Sequence, residues 1–307
     1  MKAVARNHHF VPQGYLAQFT NDGTRDGRVT VFDRVSRSIF QTKPRNVGAK
    51  RDFNRIELEG RAPDELERML GELEGRAISA IRRLQETEGE PQASELSPIV
   101  NLMTLLVVRN PQSRRAMNTA RRHEARIIGS MLTSDRRMFE SQVAKAKRDG
   151  FIREAANVSF EEMAEFIQRD EYTIEVSTSE SLSLELSIFE SIFETLASRW
   201  WSLVTASVDA PEFATCDHPV AIVFKDRKLG GPIGYAMPGT EVSFPLGPRH
   251  ALLGVLEEPL MPRLTASAEQ VAAINSRTVY HADRQIYARS RRLVVLRKGG
   301  MVDFDLS

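Results

Sequence analysis

The sequence contains a single cysteine, Cys216, and no long uninterrupted hydrophobic run. One cysteine cannot form an intramolecular disulfide, and secreted proteins of this size usually contain such bridges, so the composition favours a reducing, cytoplasmic location. The amino-terminal residues also lack the apolar core of a signal peptide. The longest apolar stretch, 99–108, is about half as long as a membrane-spanning helix, so we expect no association with a membrane.

Several catalytic and nucleotide-binding motifs are missing as well. No glycine-rich phosphate loop follows a predicted strand, which argues against ATP-dependent and dinucleotide-dependent enzymes. Neither the GxSxG nucleophile motif nor the HExxH zinc motif occurs, and Cys216 has neither a CxxC partner nor a histidine at zinc-site spacing. The spacing of possible metal ligands therefore indicates no metal site. A divalent ion bound by Asp217 is considered only as one alternative. The cofactor is left unknown.

Charge is distributed unevenly along a chain whose net charge is only +1. The segment 109–148 holds eleven Lys or Arg and three acidic residues, whereas 154–194 holds eleven acidic residues and one arginine. Adjacent helices whose opposite charges face each other or water would produce this pattern. A basic helix that contacts phosphates, with the acidic segment shielding it, would produce the same pattern. Nucleic acid is therefore the partner to test for 109–148.

Apolar periodicity divides the chain into three regions. Residues 1–58 contain a polar turn and alternating runs that predict a hairpin. In residues 59–199 apolar side chains recur every three or four positions, as in amphipathic helices, and Ser97 with Pro98 predicts the start of a buried one. Residues 200–307 return to short apolar runs between Pro and Gly, typical of an antiparallel sheet. We predict a single α+β domain with a central helical array and a small, mostly antiparallel sheet built from both end regions.

Motifs spread along the chain resemble one protein family. They are HHFVPQGYLAQF at 8–19, VFDR at 31–34, VGAKRDF at 47–53, RNPQSR at 109–114, RWWSLVTA at 199–206, FATCDHPVAI at 213–222, VSFPLGPRHALL at 242–253 and INSRTVYHADRQIYA at 274–288. In this order they are similar to the largely bacterial domain-of-unknown-function family 4238, whose His-x-x-Pro signature is matched by His9 and Pro12. The resemblance implies no particular activity. It draws attention to the turn 216–219, Cys-Asp-His-Pro, where the family usually has a Ser-Asp-Asn-Pro-like sequence.

The histidine pair of the opening motif supplies the first candidate site residues. His8 and His9 are adjacent, so one can face a site while the other supports it. Gln13 lies four residues beyond His9, on the same face if the turn is helical. Neutral imidazole titrates near physiological pH, which makes His9 a candidate general acid or base. A buried histidine bonded to the backbone is the competing interpretation.

The Asp-His-Pro turn and the end of the buried helix supply the others. Asp217 and His218 follow a predicted strand, where α+β proteins often display working side chains. The alternative for Asp217 is a structural role in an Asx-turn or as a capping residue. Arg109 and Arg114 flank a proline, and a guanidinium there either pairs with Asp217 or holds a phosphate. We assign catalytic roles to His8, His9, Gln13, Asp217 and Arg109, and substrate contacts to Arg114, Tyr15 and His218.

The leading functional hypothesis is a nuclease-like hydrolase of a defence or toxin type. In it His9 is the general acid or base, Asp217 orients it or binds a divalent ion, and Arg109 and Arg114 lie on the scissile phosphate. A comparable alternative is a non-enzymatic binding or regulatory module in which His9 and Asp217 join the two ends of the chain. A further alternative is an enzyme for a small ligand held between helices and sheet. The sequence leaves the substrate and the oligomeric state open.

Overall fold

The computed structural model describes residues 7–53, 65–226 and 230–306. Within them it contains eight α-helices and several small, mostly antiparallel sheets, so the predicted α+β class is confirmed. The boundary predicted between residues 58 and 59 lies outside the described residues. The chain groups into two units, 114–181 and the remainder, each of which is described by itself.

The amino-terminal part of the first unit combines short strands with two long helices. Its elements are β1 (Asn7–His9), α1 (Gln13–Ala17), β2 (Val29–Asp33), β3 (Ser38–Thr42), β4 (Ala49–Arg51), α2 (Glu65–Glu86) and α3 (Ala93–Val108). The predicted hairpin is present, because β2 pairs antiparallel with β3. Helix α3 begins one turn before the predicted start, because the Gln92 N–H donates to the Glu95 carboxylate at 3.0 Å and caps it there. Pro98 consequently lies inside α3, in its second turn.

The carboxy-terminal part of the first unit provides most of the strands. Its elements are β5 (Trp200–Ala206), β6 (Thr215–Cys216), β7 (Ala221–Phe224), β8 (Thr240–Gly247), β9 (His250–Val255), β10 (Arg263–Ala266), α8 (Ala268–His281), β11 (Gln285–Ala288), β12 (Val294–Arg297) and β13 (Gly300–Asp303). Five of them form a sheet in the order β10-β5-β9-β8-β7, in which only β10 and β5 are parallel.

A second sheet joins the two ends of the chain. Its order is β3-β2-β11-β6, so the amino-terminal hairpin pairs through β2 with β11 from the carboxy-terminal region. This pairing confirms the predicted sheet built from both end regions.

Tyr15 from α1 and Phe244 from β8 stack with ring centroids 5.1 Å apart in the core between the helices and the strands. Full burial of side chains of this size stabilises the unit by roughly 1.5–3 kcal/mol each.

The second unit is helical and carries most of the uneven charge. Helices α4 (Pro111–Leu132) and α7 (Thr178–Ala197) cross its boundaries, and α5 (Arg136–Arg148) and α6 (Phe160–Arg169) lie within it. Arg126 pairs with Asp170 at 3.2 Å, and Arg136 pairs with Glu161. These pairs between the basic and acidic segments fit the interpretation of opposite charges that face each other, although exposed pairs contribute at most about 1 kcal/mol. No described helix is long and apolar enough to cross a membrane.

Candidate functional site

The opening histidines lie on β1, which pairs antiparallel with β4. His8 is only 7% exposed, whereas His9, on the opposite face of the strand, is partly exposed. Helix α1 begins at Gln13, and this brings the Gln13 amide to 3.4 Å from Nδ1 of His9, to which it donates. Because Nδ1 accepts this hydrogen bond, the ring proton of His9 is on Nε2.

Tyr15 lies in the core. Its hydroxyl donates to the carbonyl of Pro245 at 2.7 Å and lies 2.7 Å from the hydroxyl of Thr215. Burial raises the pKa of Tyr15 well above its ordinary value, so the phenol stays protonated. A fully buried hydroxyl with two internal partners argues against the substrate-contacting role predicted for this residue.

Asp217 fastens the turn between α8 and β11. Its Oδ1 accepts the N–H of Asp283 at 2.8 Å, and its Oδ2 accepts those of Arg284 at 2.7 Å and Gln285 at 2.8 Å. These are the side-chain hydrogen bonds of Asp217 within the described part of the chain, and neither His9 nor Arg109 takes part in them. Burial raises the pKa of Asp217 to about 6, although the three amides lower it, so the carboxylate is mostly ionised at neutral pH. This geometry favours the capping interpretation over the catalytic one.

A second buried carboxylate, Asp33 at the end of β2, belongs to the same network. Its Oδ2 accepts hydrogen bonds from Nε of Arg284 and from the amide of Gln285, both at 2.8 Å. Burial raises the pKa of Asp33, but these two side chains and the N–H of Ser36 more than offset it and leave the pKa below its ordinary value. The turn after α8 is therefore held by two carboxylates from distant parts of the chain.

Tyr287 connects this network to the opening motif. Its hydroxyl donates to the side-chain oxygen of Gln285 at 3.0 Å and hydrogen-bonds the backbone of Gly48. The carbonyl of Gly48 in turn accepts the N–H groups of Phe10 and Val11, at 2.9 and 3.1 Å. Five of the motifs recognised in the sequence thus meet in one hydrogen-bond network. The members that the sequence interpretation did not single out are Asp33, Arg284, Gln285 and Tyr287.

His218 is the most chemically available residue of the Asp-His-Pro turn. Its Nδ1 lies 2.7 Å from the side-chain oxygen of Gln112, and its ring centroid lies 5.7 Å from that of His281. Because an amide oxygen only accepts hydrogen bonds, Nδ1 carries the proton and Nε2 keeps its lone pair. Burial and the neighbouring His281 lower the pKa of His218 to about 4, while Asp283 raises it in part. The imidazole is therefore neutral at physiological pH.

His281, the last residue of α8, is the second imidazole of this cluster. Its Nε2 lies 2.9 Å from the carbonyl oxygen of Ile222 and 3.2 Å from its nitrogen. Donation to the carbonyl is the shorter contact, and it leaves the lone pair on Nδ1. Burial lowers the pKa of His281, so this ring is neutral too. Sequence interpretation missed both His281 and Gln112, although each lies inside a recognised motif.

The two predicted arginines lie in different surroundings. Arg109 is buried at the carboxy-terminal end of α3, where its N–H donates to the carbonyl of Leu105 at 2.9 Å. Arg114 belongs to the 114–181 unit. No three His, Cys, Asp or Glu side chains among the described residues are arranged to hold a metal ion.

Comparison with known proteins gives one match. A family model described as "Protein of unknown function (DUF4238)" matches residues 7–292, nearly the whole chain. The match covers every site residue discussed above, including the histidine pair and both buried carboxylates. No curated protein and no solved structure gives a significant match.

Proposed function

We propose that the chain, which belongs to the family of proteins of unknown function DUF4238, hydrolyses phosphodiester bonds of nucleic acid with His218 as the general base. The observation that carries the proposal is the pair of neutral imidazoles, His218 and His281, at 5.7 Å. One of them has its tautomer set by Gln112. The proposal keeps the predicted reaction but moves its centre from His9 and Asp217 to His218.

The chemistry follows from the protonation states of the cluster. Nε2 of His218 takes a proton from the attacking water. The oxygen of that water bonds to phosphorus, and the bond between phosphorus and the leaving oxygen breaks. The same proton then passes to the leaving oxygen, so His218 returns to its neutral form. Asp283 lies close enough to stabilise the transient imidazolium. His281 acts as a positioning residue that keeps His218 unprotonated before the reaction.

Arg284 takes the phosphate-binding role that was predicted for Arg109. Its Nε is held by Asp33, and more than half of its side chain, 55%, is exposed. A guanidinium fixed at one end and open at the other suits a phosphate oxygen. Because the N–H of Arg284 binds Asp217, that carboxylate positions the arginine without touching the substrate.

The test is cleavage of labelled oligonucleotides by the full chain and by His218→Gln. Single-stranded RNA, single-stranded DNA and duplex DNA are each incubated with and without magnesium. We expect His218→Gln to slow cleavage by about 100-fold to 10,000-fold, because general acid–base groups typically contribute that much. His250→Gln is the matched control, because His250 is also partly buried and its pKa is also lowered by burial, yet it lies on β9. Cleavage at the wild-type rate by His218→Gln, or none by the wild type, would refute the proposal.

A binding or regulatory module is the second candidate. The geometry of Asp217 favours it, because all of the carboxylate's hydrogen bonds serve to hold the turn after α8. In this case the wild-type chain binds nucleic acid but cleaves none of the oligonucleotides, and His218→Gln leaves binding unchanged. The cleavage and binding measurements therefore separate the two candidates.

A further inference from the structure

A groove of about 850 Å³ lies between helix α8 and the turn of the β12–β13 hairpin. Helix α8 provides Arg277 and Tyr280 to its lining, and the turn provides Arg297 and Lys298. The two sides are fastened together at Ser276, whose hydroxyl accepts the N–H of Leu296 at 2.7 Å. Such a volume is within the range of sites that bind small molecules or short stretches of a polymer.

The groove is basic at the end formed by the hairpin turn. Two of its cations are already neutralised, because Arg277 pairs with Glu241 and Lys225 pairs with Glu257. Arg297 and Lys298 are exposed, and neither has an ion-pair partner in the part of the chain that the structure describes. The turn continues through Gly299 and Gly300, both at positive φ, where side chains are disfavoured. Two cations without an ion-pair partner therefore lie next to glycine backbone that has no side chains, an arrangement suited to binding phosphate groups.

The other feature of the groove is an aromatic ring. Tyr280 is 82% exposed, an unusual state for a tyrosine, and no described side chain covers it. Its ring centroid lies 5.9 Å from that of His281, so this end of the groove adjoins the histidine pair. Binding sites for single-stranded nucleic acid repeatedly combine two features: cations that contact the phosphates, and an exposed aromatic ring on which a base stacks.

We infer that this groove binds single-stranded nucleic acid and leads it to His218 and His281. Arg297 and Lys298 contact successive phosphates, and Tyr280 stacks on an unpaired base. A duplex binds less well, because its bases are already stacked on each other and are not available to Tyr280. The inference rests on the proposed function and names its substrate class.

Binding is measured by fluorescence anisotropy of a short labelled single strand with the full-length His218→Gln protein, which keeps the strand intact. Arg297→Ala/Lys298→Ala should reduce the slope of log affinity against log salt by about 1.4, since each phosphate neutralised on a single strand contributes about 0.7. Tyr280→Ala should weaken binding by at least about fivefold at constant salt, because base stacking is lost.

The matched control is Arg137→Ala/Lys145→Ala on α5, which removes the same charge from two exposed residues of the basic segment. We expect it to leave affinity and salt slope unchanged. Circular dichroism of each variant verifies that the fold is retained. A larger effect of the control than of the groove variants would overturn the inference in favour of the basic segment. Equal affinity for duplex and single strand, or wild-type binding by Tyr280→Ala, would overturn it too.

The two proposals fail in different ways. Groove-dependent binding without any cleavage by the wild type would refute the proposed hydrolysis and leave the groove assignment standing. Cleavage that is insensitive to Arg297→Ala/Lys298→Ala and to Tyr280→Ala would refute the groove assignment alone. Binding of a mononucleotide such as AMP, without any binding of the single strand, would also overturn the groove assignment.

Discussion

Replacing Asp217 with alanine removes the acceptor of three backbone hydrogen bonds at once. The donors are the N–H groups of Asp283, Arg284 and Gln285, between 2.7 and 2.8 Å from the carboxylate oxygens. A hydrogen bond to a charged group contributes about 1.5–3 kcal/mol. Asp283 and Arg284 are exposed residues whose amides water can partly satisfy, so we assign about 1 kcal/mol to each of them and about 2 to Gln285.

The expected loss in the free energy of unfolding is therefore about 3–5 kcal/mol for Asp217→Ala. Asp217→Asn keeps one acceptor oxygen and should lose roughly half as much. Urea unfolding followed by circular dichroism measures both. The loss is a large fraction of the roughly 5–15 kcal/mol that holds a typical domain together.

Asp209→Ala is the control for this experiment, because Asp209 is exposed, and a surface change of this kind alters stability by less than about 0.5 kcal/mol. Hydrogen exchange locates the effect, since the amides of residues 283–285 should lose protection first. A loss below about 1 kcal/mol for Asp217→Ala, or unchanged exchange at these amides, would refute the assignment of Asp217 as the residue that holds this turn.

Two further predictions concern pH and the core. The pKa of Asp217 is raised to about 6, so its contribution to the free energy of unfolding falls as the pH rises from about 4 to 6. The pKa of His218 is lowered to about 4, so its contribution rises between pH 4 and about 6.5. These slopes oppose each other in the wild type. Relative to the wild type, the slope of stability against pH should therefore become more negative in His218→Gln and more positive in Asp217→Asn. Slopes unchanged from the wild type in urea unfolding at pH 4–7 would contradict both shifts. Tyr15→Phe removes the hydroxyl bonded to Pro245 and should lower the free energy of unfolding by about 1–2 kcal/mol without changing oligonucleotide affinity. Weaker binding at unchanged stability would instead give Tyr15 the substrate-contacting role.

The parts of the fold that depend on near neighbours were predictable. The β2–β3 hairpin follows from two alternating runs joined by a short polar turn, and all of its partners lie within fourteen residues of one another. The start of α3 shows how such local signals compete. Ser97 and Pro98 look like a cap and a first helical position, but Gln92 and Glu95 make a better cap one turn earlier, and the helix tolerates the proline.

The candidate site was predictable in part. Sequence patterns drew attention to Asp217 and His218, and the structure places both at one turn beside a second histidine. The sequence patterns could not show that the Asp217 carboxylate accepts hydrogen bonds from the N–H groups of residues 283–285, because these residues are 66 to 68 positions away along the chain. For the same reason they could not identify Gln112, which meets His218 from 106 residues away and sets its tautomer.

The amino-acid sequence alone determined the α+β class, the positions of most helices and strands, and the family, since these follow from apolar periodicity, capping residues and ordered motifs. Only the tertiary structure decided which polar residue does what. A carboxylate becomes a turn anchor or a reactive group according to the donors that surround it, and an imidazole becomes a base according to its burial and its partner. For Asp217 and His218 those surroundings are assembled from β2, α8 and the start of α4, which the chain brings together only when it folds.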